Sequence, residues 1–471
     1  MQNRPPQSAA PRGIFDESKP LWQVMAIFLI PLTVSNLLQS ASGTVTSIYI
    51  GRLIGVDGLA ATSALFPVLF FLISFLIGLT NGSTVLIGQA FGARDEHRLK
   101  QVAGTTVTVC LLLGIGVAIV GTLFAHQAMT LLGTPPNILA ASEGYAKLIF
   151  LGLPFAFVFI GYVTFLRGTA DATTPLVFLI LTTIISLLIT PAFIRGWFGL
   201  PQLGVGSAGL AFDIANTVGL ISLIIYLRAV KHPLALDAET IHNLRIRWPI
   251  FVQLVRIGFP TGIQVVMVSL SEVAVITFVN HFGSSATAAY GAVNQIVSYV
   301  QFPAISISIA ASIFGAQAIG AKREDLLRRV VHAGVALNYA VGAVLIGLCY
   351  IFSNDLVSLF ITNPNTVAVA HGLLMITLWG YLIFGNSAVL SGIMRASGTV
   401  LWPTLNGIFS IWAVEVPVAY VLSRHIGIDG IWYGYPAAFC VALTLQTLYY
   451  TFVWKRQRHE MLLAATSDSP A

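Results

Sequence analysis

The sequence predicts an all-α polytopic membrane protein: twelve transmembrane helices in two pseudo-symmetric six-helix lobes. Three observations carry that prediction. Of the 471 residues, 56% are hydrophobic and 9% charged, against about a quarter charged in an ordinary soluble chain. Uncharged runs such as 102–125 and 333–354 are longer than the roughly 20 residues that cross a bilayer. Third, the two halves repeat each other: QAFGARDEHRLKQV begins at 89 and QAIGAKREDLLRRV at 317, an offset of 317 − 89 = 228.

Polar, glycine and proline breaks divide the chain into spans. Helices 1 to 6 are expected at 21–51, 59–89, 101–125, 139–166, 176–199 and 206–229, and helices 7 to 12 at 249–281, 286–317, 329–354, 366–394, 402–424 and 428–454. The domain boundaries that follow are an N-terminal tail 1–20, an N-lobe 21–229, a linker 230–248, a C-lobe 249–454 and a C-terminal tail 455–471. At the same offset Arg167 and Pro175 meet Arg395 and Pro403, and Gly55, Ala60, Ala61 and Ala64 meet Gly283, Ala288, Ala289 and Ala292. An even number of helices per unit makes both units enter from one side, as in transporters built from parallel repeats, and leads to the expectation of a central cavity between two lobes.

The first apolar stretch is too long for a cleaved signal peptide and is expected to remain as helix 1. Lysine and arginine are retained on the cytoplasmic side of short loops. With the N-terminus inside, 20 of the 24 basic residues fall on that side, and Arg52, Lys147, Arg195 and Arg424 are left outside. Both termini are therefore expected in the cytoplasm. The formal charge of +6 is scattered between apolar segments and forms no aromatic-flanked patch, which speaks against a nucleic-acid partner. Cys110, Cys349 and Cys440 lie in apolar segments without metal or redox spacing. Neither a metal site nor a cofactor is indicated. The motifs for nucleotide hydrolysis, serine nucleophiles and zinc hydrolysis are missing, so the reading is a protein that is not an enzyme and either draws on an ion gradient or works as a passive facilitator.

IGRLIG at 50–55 followed by GLAATSA, GQAFGA at 88–93, LRGTADATTP at 166–175 and their second-half counterparts together resemble the multidrug and toxic compound extrusion (MATE) family, over residues 20–454. The resemblance implies a twelve-helix, two-lobed antiporter in the plasma membrane, the inner membrane of a bacterium, acting as a monomer. It implies export of cationic or amphipathic organic compounds in exchange for H+ or Na+. At positions where members of the family carry acidic or amide coupling residues, this chain has Thr46, Ser186, Thr190, Val268 and Phe384. Those familiar coupling residues are not carried over.

Ionisable groups in the hydrocarbon region cost at least about 2.5 kcal/mol, so an acidic residue there is a functional candidate. Glu272 comes first, about nine residues or ~14 Å from the outer end of helix 7. Glu415 lies about 13 residues into helix 11, beside Pro417, which frees a carbonyl. Asp213 sits early in helix 6. These three are the candidate ion-coupling residues, and the alternative for each is a structural carboxyl. Asn36, Gln39, Ser40 and Thr46 on helix 1 recur at helical spacing, as do Gln264 and Ser271 with Glu272 on helix 7. They are the candidate lining of a substrate cavity, weighed against plain interhelical hydrogen bonding. His126, His281, His371 and His425 are read as solvated at the interface, and the charged loop motifs with Arg167 and Arg395 as fixing loop geometry.

The alternative function is a flippase for a lipid-linked precursor. An anionic headgroup calls for charge-assisted partners, and no basic residue lies near the middle of any expected span. A lipid-transferring enzyme would need catalytic groups converging at one interface, and the sequence offers none.

Overall fold

The computed structural model describes residues 19–358, 360–361 and 363–463; the N-terminal tail 1–20 lies almost wholly, and the C-terminal tail 455–471 in part, outside the described residues. Eleven helices among them are long and apolar enough to cross a membrane, and a bent pair makes a twelfth. The spans are α1 (Leu21–Leu53), α2 (Phe66–Gly92), α3 (Glu96–Leu123), α4 (Pro136–Gly168), α5 (Thr173–Arg195) and α6 (Gly206–Ala229). The second series is α7 (Trp248–Asn280), α8 (Ser284–Gly320), α9 (Glu324–Ile351), α10 (Thr366–Thr377 with Gly380–Ala396), α11 (Leu401–Ile426) and α12 (Asp429–Arg456). No strand occurs among the described residues.

The burial pattern is that of a protein dissolved in lipid. Ile30, Leu188 and Ile225 are 62–67% exposed along the spans, while small residues and hydroxyls face inward and let helices approach. An added Cβ at Gly114 of α3 would lie 2.5 Å from the Cα of Pro154 on α4, so the two backbones are in contact there. Thr84 of α2 donates to the Thr164 carbonyl of α4 at 3.5 Å. In the other half Ser308 of α8 donates to the Ala388 carbonyl of α10 at 2.6 Å. Both bonds bridge the second and fourth helices of a unit.

The repeat extends to the backbone. Gly55 and Gly283 (φ 102° and 92°), Arg94 and Lys322 (57° and 55°), Ala170 and Gly398 (63° and 77°), and Gly199 and Gly427 (78° and 74°) all sit in the positive-φ region. Each pair is 228 residues apart. A left-handed alanine costs about 1–2 kcal/mol that glycine avoids, partly offset by the entropy glycine loses on folding. Ala170→Gly is therefore expected to raise the thermal stability by up to about 1 kcal/mol, read as a higher melting temperature in detergent.

The chain divides into two compact units, residues 34–255 and residues 19–33 with 256–463. The divisions fall inside α1 and α7. Within the second unit Phe28 of α1 packs edge-on to Phe314 of α8 at 5.4 Å.

Two spans depart from their expected form. Helix 2, expected unbroken over 59–89, is interrupted at Leu65 between a short helix Val56–Ala64 and α2. Pro67, in the first turn of α2, has no N–H to continue the ladder, whereas its counterpart in α8 is Gln295 and that helix runs through. Helix 10 bends by 44° at Leu378–Trp379.

The segment 230–248, expected as a linker, is fastened to α3. Lys100, with a side chain 11% exposed, reaches Asp237 and Glu239 at 2.7 Å each. Thr105 donates to the Arg245 carbonyl at 3.2 Å. Gly104 makes the approach possible, since a Cβ there would fall 2.3 Å from the Asn243 carbonyl oxygen. Burial alone would raise the Asp237 pKa, but hydrogen bonds from Lys100 and the Thr240 N–H override it and hold the carboxyl near 2. Its contribution to docking is thus complete above the ordinary value of 3.8 and is lost as pH falls through about 2. Limited proteolysis within 230–247 is expected to be equally slow at pH 7 and pH 5. Lys100→Met is expected to speed cleavage about threefold, the effect of a partly exposed ion pair.

Candidate ion-coupling site

The second unit brings two of its acidic residues, Glu272 and Glu415, into range of each other. Glu272 of α7 accepts from the Tyr290 hydroxyl of α8 at 2.5 Å and from the Tyr435 hydroxyl of α12 at 3.2 Å. The two phenols are 2.9 Å apart, so three oxygens from three helices form a closed triangle. Two hydroxyl protons serve three contacts, which leaves the triangle room for one more proton. Trp432, fully buried, stacks on Tyr290 with centroids 5.9 Å apart and an interplanar angle of 9°. Asn294, one turn along α8, lies beside the Tyr290 hydroxyl.

Glu415 lies within electrostatic range of Glu272, and Tyr381 of α10 and Tyr435 are within range of both carboxyls. Its residue is only 4% exposed. The local backbone is unusual for a sequence reason. Pro417 has no N–H to offer the carbonyl one turn back, and α11 widens into a π-helix over Ser410–Glu415. Gly434 of α12 packs onto this point: an added Cβ would be 2.8 Å from the Glu415 carbonyl oxygen. Two carboxyls in an apolar, tyrosine-lined setting are expensive when charged and empty. Such a cluster is suited to binding a cation or a proton.

In the first unit Asp213 of α6 lies against α4, where a Cβ on Gly152 would fall 1.7 Å from its Oδ1. That oxygen is buried and has no hydrogen-bond partner. Tyr145 is within electrostatic range. Asp213 belongs to the first unit, whereas Glu272 and Glu415 belong to the second.

The polar helix 1 residues bond mainly to their own helix: Gln39 Nε2 to the Ser35 carbonyl at 3.2 Å and Thr46 Oγ1 to the Ser42 carbonyl at 2.9 Å. Gln39, Ser40, Gly43, Thr44 and Ser47 are exposed along one face, with Asn36 and Thr46 half-buried. Helix 7 differs from the expected open stripe. Ser271 is 1% exposed and donates to the Val268 carbonyl at 2.7 Å. Gln264 turns to α11, accepting from Thr404 at 3.5 Å, with its amide against Gly407. Trp412 Nε1 donates to the Met267 carbonyl at 3.3 Å. This face of α7 is used within the unit to hold α11. Thr190 donates to the Ser186 carbonyl at 2.7 Å, and His126 meets Glu143 at 2.8 Å.

Tyr290, Tyr381, Tyr435 and Trp432 are absent from the residues singled out in the sequence, because no local spacing ties them to Glu272. One signal was available. At the 228 offset their counterparts are Thr62, Leu153, Ser207 and Gly204, and those of Glu272 and Glu415 are Thr44 and Leu187. The cluster is built from positions where the second half departs from the first.

The MatE family model matches residues 31–192 and 260–421. The chain is 50% identical over 95% of its length to the probable multidrug resistance protein YoeA of Bacillus subtilis, covering 97% of that protein. Among solved structures, it resembles an outward-facing MATE family transporter with a TM-score of 0.85 at 17% identity, over 93% of this chain and 97% of that one. A mutant of the Vibrio cholerae MATE transporter VcmN gives 0.83 at 21% identity, over 93% and 98%. With twelve apolar spans, a duplicated architecture and this half-identical relative, the chain is a membrane-embedded protein that belongs to the MatE family, that of the multidrug and toxic compound extrusion (MATE) transporters.

Proposed function

We propose that this chain is an antiporter that exports organic compounds, cationic or amphipathic, in exchange for protons or sodium ions. The observation that carries the reading is the Glu272 cluster, a carboxyl held by two tyrosines with a second carboxyl in range. A cation bound there and a cargo bound elsewhere drive transport when each prefers a different conformation of the protein. Glu272 is the principal coupling residue and Glu415 its partner, with Asp213 a second ionisable position in the other unit. Asn36, Gln39, Ser40 and Thr46 are assigned to the cargo-facing side, since exposed polar groups along a span favour water over lipid. Gln264 acts through the placement of α11, whereas Ser271 is buried and bonded within α7.

The protein works as a monomer without cofactor or catalysis, in a bacterial inner membrane, with both termini and the basic loops in the cytoplasm. A flippase for an anionic lipid precursor is less suited, because Arg167 and Arg395 lie at the ends of α4 and α10. Expression in an efflux-deficient bacterium tests the reading. Tolerance to lipophilic organic cations should rise several-fold; unchanged tolerance to a broad panel, with protein present in the membrane, would overturn it.

A further inference from the structure

The last residues of α12, from Trp454, and the segment that follows them take up the same place in their unit as the segment that follows α6. At the 228 offset Ala235 and Leu463 are both buried, at 7% and 6% exposure. Each segment crosses the turn that ends the fourth helix of its unit. His232 lies within electrostatic range of Asp171 in the turn after α4. In the second unit Trp454 Nε1 donates to Ser397 Oγ at 2.8 Å. Leu462 covers Gly398, where a Cβ would fall 2.7 Å from its Cδ2.

The two straps are held differently. The first is fixed by Lys100, Asp237 and Glu239 and continues into α7. The second is held by an aromatic wedge: Trp454, 2% exposed, stacks between Tyr450 at 5.2 Å and His459 at 3.9 Å. The ion pair recorded in it, Arg458 with Glu460 at 3.7 Å, is internal to the strap.

We propose that residues 454–463 form a proton-released latch on the end of α10, closed by neutral His459 and opened when that imidazole is protonated. The His459 ring lies beside the Trp454 carbonyl, which favours its protonated form, and its Nε2 is buried with no partner. A proton added at Nε2 becomes a buried donor with no acceptor, a state that favours release. The charged group acting on the ring from a packed element is Glu324 at the start of α9; Arg328 of α9 acts on Tyr450. Burial pushes the His459 pKa down, and the Trp454 carbonyl and Glu324 oppose this without reversing it. The docked strap therefore binds protons less readily than the free one. Docking is complete above the ordinary histidine value of 6.5 and is lost as pH falls below it. Release frees the Ser397–Thr399 turn, the end of the helix that carries Tyr381. On the orientation proposed above, the latch reads the pH of the cytoplasm.

Hydrogen exchange on the full chain in lipid nanodiscs, corrected for intrinsic rates, tests the latch directly. Protection across 454–463 should fall by up to about tenfold between pH 7.5 and 5.5, the limit set by a histidine of ordinary pKa. His459→Phe keeps a ring on Trp454 and should stay protected at both values, and Trp454→Ala should be unprotected at both. Wild-type protection that does not change with pH, an equal fall in His459→Phe, or a protected Trp454→Ala would each overturn the proposal. The readout does not depend on transport or on orientation, so its failure is distinguishable from failure of the antiport reading.

Discussion

Glu272→Gln is expected to reduce ion-driven export to the level of vesicles without protein, while the variant reaches the membrane in wild-type amounts. Glutamine fills the same space, and its carbonyl still accepts from Tyr290 and Tyr435. It cannot take up a proton or balance a cation, so the difference between loaded and empty states that coupling requires is removed. Glu415→Gln should slow export and shift its pH dependence without abolishing it, because Glu415 acts on the cluster through range and not through a recorded hydrogen bond to it. Export rates in vesicles, normalised to protein content, check both. A glutamine variant at 272 with wild-type gradient-driven export would remove Glu272 from the mechanism.

Gly114→Val is expected to cost about 3 kcal/mol or more and to prevent accumulation of folded protein. The first carbon of the new side chain would meet Pro154 Cα at 2.5 Å, Pro154 N at 2.9 Å and the Leu153 carbonyl oxygen at 3.2 Å. These are backbone atoms of a neighbouring helix, which cannot rotate away as a side chain can. Gly116, two residues on, has nothing within 4 Å, and Gly116→Val should leave the melting temperature within a degree or two. Equal melting temperatures for the two variants would contradict the close α3 and α4 contact.

The fold was legible in the sequence because its causes are local or periodic. Long uncharged runs set the spans, and the 228 offset pairs Arg94 with Lys322 and Gly55 with Gly283, positions that also share their backbone geometry. Pro67 and Pro417 were visible, but whether a proline ends a helix, kinks it or widens it depends on what the neighbouring helices satisfy. The interruption at Leu65 and the π-turn at Ser410–Glu415 were therefore not readable in advance. Of the candidate site, the carboxyls stood out by their charge in an apolar run. The tyrosines did not, because Tyr290 and Tyr435 are 145 residues apart and only the packing of α8 and α12 brings them to Glu272. Helical spacing put Ser271 beside Glu272, yet spacing alone does not say whether a face meets water or another helix.

Transport in proteoliposomes with a proton gradient or a sodium gradient imposed separately is the most direct measurement of the central claim. Antiport predicts that one of the two gradients drives an organic cation uphill, that Glu272→Gln removes this drive, and that collapsing the gradient with an ionophore stops it. Uphill movement indifferent to both gradients, or only downhill movement under any condition, would contradict it.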